Sequence, residues 1–246
     1  MSLSHNLARL SGLVARKLPV RPARLAPARA LASISFDDFP KSAWTAGGPV
    51  LARHGIRGTY YTAGGFCGRT MDGTVFYDAA DLKAVLAAGH EIGCHGYGHQ
   101  PTPDLADAAL IEDDRRNRAF LAPFIGAADS YAFPFGAVSV RTKRFYATRF
   151  ASLRGVHPGV NQGRVDLGQL CAIPLEAHRQ GSGDIAKTIA AAKAKGGWLV
   201  FYTHDISETP SEYGTTPEHL DQVLAQVKAA GIDFLPVRDA LKAVLA

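Results

Sequence analysis

Along the chain, alanine-rich stretches with helical spacing stop at a glycine and give way to short runs of branched and aromatic residues. The pattern occurs in LARHGIRGTYY, LAAGHEIGCH, AKAKGGWLVFYTH and VKAAGIDFLPV. Glycine supplies the left-handed conformation that closes a helix, and β-branched and aromatic side chains suit a pleated strand, so each unit predicts helix, cap and strand. Between these units the sequence predicts a first strand at LASISF, a helix opened by Asp104 and running to about Leu121, a strand at SYAF, and a helix around Arg141–Phe150. Such alternation requires helices on both faces of a largely parallel sheet, closed as a (β/α) barrel or open and doubly wound. No GxGxxG follows the first strand, which weakens the nucleotide-binding open sheet.

Candidate chemistry gathers at the carboxyl ends of four different predicted strands, which in a barrel form one face. Asp37 and Asp38 end the first strand, and Pro40 stops it. Two carboxylates there can divide labour, one binding a cation and one taking a proton, or can simply cap the turn before Ser42. In CHGYGHQP, the four-residue separation of His95 and His99 brings both imidazoles to one side if the segment makes a helical turn, and Gly96 and Gly98 allow close backbone approach. His90, one strand-length earlier, reads as structural or exposed. In FPFGA, Pro134 fixes the chain so that the Phe135 N–H can face a developing oxyanion, although an ordinary Pro-Gly turn has the same sequence. His204 ends WLVFYTH beside Asp205; alone it reads as a satisfied polar pair, but in a metal site it can protonate a leaving amine. Two imidazoles and one carboxylate leave room for water and suit zinc without being exclusive to it, with Asp37 and His204 as opposed base and acid.

Composition narrows the setting. With 246 residues, 47% hydrophobic and 20% charged, the chain has a globular balance compatible with one barrel. The formal charge of +5 is concentrated early, in Arg9, Arg16, Lys17, Arg21, Arg24 and Arg29. Residues 1–30 therefore form a basic segment, read as an arm rather than a nucleic-acid module. Arg9 and Arg16 interrupt the apolar stretch Leu7 to Val14, so no export signal is visible, and no run approaches the roughly 18 apolar residues of a membrane span. Cys67, Cys94 and Cys171 are odd in number and widely spaced, which fits a reduced, cytoplasmic compartment. Leu7, Leu10, Leu13 and Val14 between positive charges suit weak contact with an anionic membrane surface.

At the residues singled out above, the sequence resembles the polysaccharide deacetylase, or NodB-homology, family. SFDD is similar to its Asp-Asp motif, HGYGH to its paired-His motif, FPFG to its oxyanion motif and THD to its final His motif, in family order over about residues 31–238. The resemblance implies a distorted (β/α) barrel as a single domain over residues 31–246. It implies Asp37 as base, Asp38, His95 and His99 as ligands of a divalent metal, the Phe135 N–H as oxyanion donor and His204 as acid. Zinc is the first expectation, with cobalt, nickel or manganese also suited. The implied reaction removes an N-acetyl or similar N-acyl group from an amino sugar in surface polysaccharide metabolism, the partner being an N-acylated amino sugar or an oligo- or polysaccharide precursor. An intracellular setting favours a small activated or lipid-linked precursor. Hydrolysis of another small amide, such as a formyl group, and an inert carbohydrate-binding barrel are the alternatives; the intact Asp37, Asp38, His95, His99 and His204 set argues against the second.

Three positions depart from the family pattern. Ala132 stands where many members place an arginine, so the usual partner of the base is missing. No Asp-Trp motif occurs in Arg154–Leu175, which leaves Arg154 and Asp166 as candidates to orient His204. Tyr202 replaces a more usual aliphatic residue near the acyl pocket.

Overall fold

The computed structural model describes residues 12–176 and 182–245. The chain opens with a helix α1 over residues 12–17, then β1 (Pro22–Leu25), β2 (Leu31–Phe36), the short helices α2 (Lys41–Thr45) and α3 (Gly47–Arg53), and β3 (Thr59–Thr62). A small hairpin of β4 (Thr70–Met71) and β5 (Thr74–Val75) precedes α4 (Ala79–Ala87), β6 (Glu91–Cys94), α5 (Asp107–Ile125), β7 (Ser130–Ala132) and α6 (Val140–Ala147). The last part holds β8 (Ser152–Arg154), β9 (Gly163–Asp166), β10 (Ile173–Pro174), α7 (Ser182–Lys195), β11 (Trp198–Thr203), α8 (Pro217–Ala229), β12 (Asp233–Phe234) and α9 (Val237–Leu245).

Every residue of β2 and of β11 is buried, as strands covered on both faces must be. They pair in parallel along their full length, from Leu31 with Trp198 to Phe36 with Thr203. The sheet runs β10-β11-β2-β3-β6-β7-β8, every pair parallel. On the other side of β2 two strands share one edge: β12 takes Leu31 and Ala32, and β3 takes Ser35 and Phe36. β12 thus wedges the sheet open at one end and distorts the barrel. Between β8 and β10 the gap is bridged by backbone, with Leu153 N donating to Leu167 O and Leu170 N donating to Leu153 O, both at 2.8 Å. The result is a single-domain, distorted (β/α) barrel whose strands all end at one face.

Two helix boundaries differ from the sequence expectation. Asp104 sits in a single 3-10 turn, Thr102–Asp104, and α5 starts at Asp107, because Pro101 and Pro103 hold the chain in the turn. α6 begins at Val140, where Ser139 and Thr142 form a reciprocal capping box, and ends at Ala147 rather than Phe150.

The early basic segment lies partly outside the described residues, including Leu7, Arg9 and Leu10. Its described part is tied to the barrel by a buried lysine. Lys143, fully enclosed, donates to Ala15 O at 2.6 Å and Leu18 O at 3.0 Å and pairs with Asp166 at 2.5 Å. Asp166 in turn accepts from Arg21 N at 2.9 Å, while β1 pairs antiparallel with β9. Among the described residues no helix is long and apolar enough to cross a membrane, and the three cysteines are free thiols.

At the start of β6, the buried Glu91 carboxylate accepts from Thr59 Oγ1 at 2.8 Å, Ser130 Oγ at 2.7 Å and Arg238 N at 2.9 Å. It thereby joins β3, β7 and the first turn of α9, where an anion also suits the helix dipole. Burial pushes its carboxyl above the ordinary range, and these donors counter that only in part. Replacing Glu91 with alanine leaves several buried donors without an acceptor, and unfolding in urea should register a loss of about 2–4 kcal/mol. A loss below about 1 kcal/mol would remove Glu91 from this structural role.

Candidate metal centre and active site

Asp37 N donates to Thr203 O at 2.9 Å, so the chain is still in the sheet at the first carboxylate. It then turns sharply. Asp38 and Phe39 take φ of 62° and 57°, and this left-handed pair brings both carboxylates to one cavity although they are adjacent in sequence. Aspartate tolerates this region; phenylalanine does not do so readily. The Phe39 ring is held between Tyr60 and Tyr77, with centroids 4.7 and 4.8 Å away, which offsets the backbone strain.

His95 follows β6 directly, its N–H donating to Thr62 O at 3.1 Å. The expected helical turn between His95 and His99 is absent. Instead the loop folds around the carboxylate of Asp113 on α5, which accepts from Tyr97 N at 2.9 Å and Gly98 N at 2.7 Å. Gly96 is required here, since its φ is 71° and a Cβ would lie 2.9 Å from Asp113 Oδ2. His99, at φ 48°, swings back so that its ring lies 5.0 Å from that of His95. His90 is structural: it is buried, its Nδ1 accepts from Gly58 N at 2.9 Å, and burial together with Arg57 lowers it to about 4.

Asp38 Oδ1 lies 3.2 Å from His95 Nε2 and 2.9 Å from His99 Nε2, yet neither approach has hydrogen-bond geometry. His95 Nδ1 donates to Ala132 O at 2.8 Å. With that ring neutral, Nε2 is left as a bare lone pair and two acceptors face each other. A cation resolves the conflict. The ligand atoms of Asp38, His95 and His99 all fall within 4.8 Å of one another, and an oxygen with two imidazole nitrogens fits a divalent ion with a further position left for substrate or water. The Ala132 carbonyl is the outer partner that fixes the imidazole's tautomer.

Asp37 does not join this cluster. It is buried and hydrogen-bonded by Arg154 Nη2. Arg154 ends β8 and stands beside Ala132 in the sheet register, so the guanidinium reaches Asp37 from the strand next to the one where the family pattern places it. It is also wedged between the rings of Tyr61 and Tyr202, 5.0 and 4.9 Å from their centroids, and donates to Gly155 O at 3.0 Å. Arg154 and Asp166 were the candidates to orient His204; the first serves Asp37 and the second serves Lys143 and Arg21. His204 is oriented instead by a backbone carbonyl, Tyr213 O, 3.2 Å from its Nδ1, which leaves Nε2 as its exchangeable position. Asp205 clasps the same loop, accepting from Ser211 N at 2.9 Å and Ser211 Oγ at 2.5 Å.

Phe135 has φ 57° and is 65% exposed, with its ring 4.5 Å from His99. Its turn closes through the amides of Gly136 and Ala137, which donate to Phe133 O and Pro134 O. Asp37, Asp38, His95, His99, Phe135 and His204 thus line one cavity of about 270 Å³, together with Val156, Glu176, Tyr202 and Tyr213. Asp113 and the Tyr213 carbonyl are the supporting groups that sequence reasoning missed, whereas Arg154 was singled out for His204 and holds Asp37 instead.

Fold and site define a distorted (β/α) barrel with an Asp–His–His cluster at the carboxyl ends of its strands. The chain belongs to the polysaccharide deacetylase family, whose model matches residues 26–151. Among solved structures it is similar to a peptidoglycan N-acetylglucosamine deacetylase, at 16% identity and a TM-score of 0.62, over 88% of this chain and 90% of that one. It is also similar to a family 4 carbohydrate esterase from Streptomyces lividans, at 15% identity and TM-score 0.55, over 84% and 92% of the two chains. A CE4-family pseudoenzyme from Bacillus anthracis shares 13% identity at TM-score 0.60, over 91% of this chain and 69% of that one. No match was found among curated proteins.

The Arg154–Asp37 pair makes a prediction of its own. Removing one partner of a buried ion pair strands the other, so Arg154→Met should cost about 3–5 kcal/mol of unfolding free energy. Adding Asp37→Asn should recover most of that loss, since no bare charge remains. Additive effects in the denaturation cycle would show that the two side chains do not depend on each other.

Proposed function

We propose that the protein is a metal-dependent hydrolase that removes an acetyl or similarly small acyl group from the nitrogen of an amino sugar in surface polysaccharide metabolism. The observation that carries this reading is the unsatisfied Asp38–His95–His99 cluster in one cavity with the Arg154-held Asp37 and with His204. When bound, a divalent ion, zinc first with cobalt, nickel or manganese as alternatives, supplies Lewis acidity toward the amide carbonyl and water. Asp37, kept in place by Arg154, accepts the proton of the attacking water. The Phe135 N–H donates to the oxygen as negative charge develops on it. His204, its Nδ1 committed to Tyr213 O, delivers a proton from Nε2 to the departing amine, giving carboxylate and free amino sugar.

Tyr202 supports a small acyl group, because its buried ring fills space at the cavity wall beside Arg154 where a smaller side chain would leave room. The complete base, acid and ligand set supports turnover rather than a binding-only barrel. The test is release of acetate or formate from N-acylated amino sugars with added divalent metals. Asp37→Asn should lower kcat by about 10²–10⁴, the usual worth of a general base, with KM little changed. Near-native turnover in that variant would remove Asp37 from the chemistry.

A further inference from the structure

Gly136 and Val156, packed against each other, line both the cavity of the metal centre and a second cavity of about 340 Å³, so the two cavities are neighbours across this shared edge. The second cavity is itself near the lower end of small-molecule sites, about 300–1,000 Å³. The second cavity is built from the early basic segment and the loop after β8, with Leu13, Arg16, His157 and Gln169 among its walls. Among the described residues no acidic side chain lines it.

Its polar groups form an arrangement. Arg16 Nη1 lies 3.2 Å from His157 Nδ1. A guanidinium only donates, so Nδ1 accepts and the neutral imidazole keeps its proton on Nε2; the pair therefore offers its remaining N–H groups to a ligand. Among the described residues neither side chain is paired with a carboxylate. Gln169 adds a carboxamide side chain to the wall. The backbone that carries Arg16 is held by Lys143, which donates to the carbonyls of Ala15 and Leu18 on either side of it. A fully enclosed lysine, neutralised by Asp166, is thus committed to fixing Arg16 in the wall of this cavity.

We propose that this second cavity is a subsite for a phosphate carried by the amino sugar. The substrate is then an N-acylated sugar phosphate or phosphodiester, free or lipid-linked, lying across the shared Gly136–Val156 edge with its amide at the metal centre. Arg16 supplies the charge-assisted donors, for which guanidinium and phosphate geometries match. The assignment rests on the proposed deacylation, and the experiment separates the two.

Deacylation of an N-acetyl amino sugar 1-phosphate, of its prenyl-diphosphate form in detergent micelles and of its neutral methyl glycoside is compared by kcat/KM. The expected preference for the phosphate forms is about tenfold or more at low salt, shrinking as salt rises. Arg16→Glu should bring the ratio close to one, whereas Arg141→Glu, a control at an exposed arginine outside both cavities, should leave it unchanged. A preference confined to the micellar form assigns the phosphate to a lipid headgroup, and a preference in both assigns it to phosphate alone; either supports the subsite. Equal rates on all three sugars, or a preference that survives Arg16→Glu, overturn it while leaving the deacylase intact. In parallel, calorimetry on Asp37→Asn measures binding of the sugar 1-phosphate without turnover. Binding that is lost in Asp37→Asn/Arg16→Glu upholds the subsite even if no protein hydrolyses any of the sugars.

Discussion

A carboxylate oxygen and two imidazole nitrogens, buried and turned toward one another with too few protons among them, set the terms for the strand ends of this barrel. His95 has its one proton committed to Ala132 O, so its other nitrogen can meet Asp38 favourably only through a positive charge. Bringing the three together also demands unusual backbone. Of the five described non-glycine residues with positive φ, four, namely Asp38, Phe39, His99 and Phe135, lie at this site. Each costs on the order of 1–3 kcal/mol, and three of the four are offset by a specific contact. Phe39 is held between two tyrosines, the His95–His99 loop is drawn in by Asp113, and the Phe135 ring rests on His99.

The parallel strands explain why chemistry gathers here. β2, β6, β7, β8 and β11 all end at the same face, so Asp37 and Asp38, His95, Ala132, Arg154 and His204 meet from five separate places in the sequence. The opposite end carries the structural polar group, Glu91, which binds strands and a helix start together and touches no cavity of the site.

Much of this could be read from the sequence because the chemical residues sit at the ends of strong hydrophobic strands, and their types restrict what they can do. Asp38, His95 and His99 are recognisable for that reason. The partners that hold them are not, because they depend on register and backbone. Arg154 reaches Asp37 only because β8 pairs with β7 so that Arg154 lies beside Ala132. Asp113 serves the paired-His loop from a helix that begins after two prolines, where side-chain spacing suggested an earlier start at Asp104. The group that orients His204 is a main-chain carbonyl, and no residue type announces it. Short strands such as β9 and β10 have too few residues to show a period at all.

One divalent ion held by Asp38, His95 and His99 is the proposal on which the chemistry rests. Calorimetric titration of the metal-stripped protein with zinc, then with cobalt, nickel and manganese, measures it. The native protein should bind one ion per chain, with affinity reduced at least about a hundredfold by His95→Ala but retained in Asp37→Asn. Absence of stoichiometric binding, or equal binding by native protein and His95→Ala, would remove the three residues from metal binding.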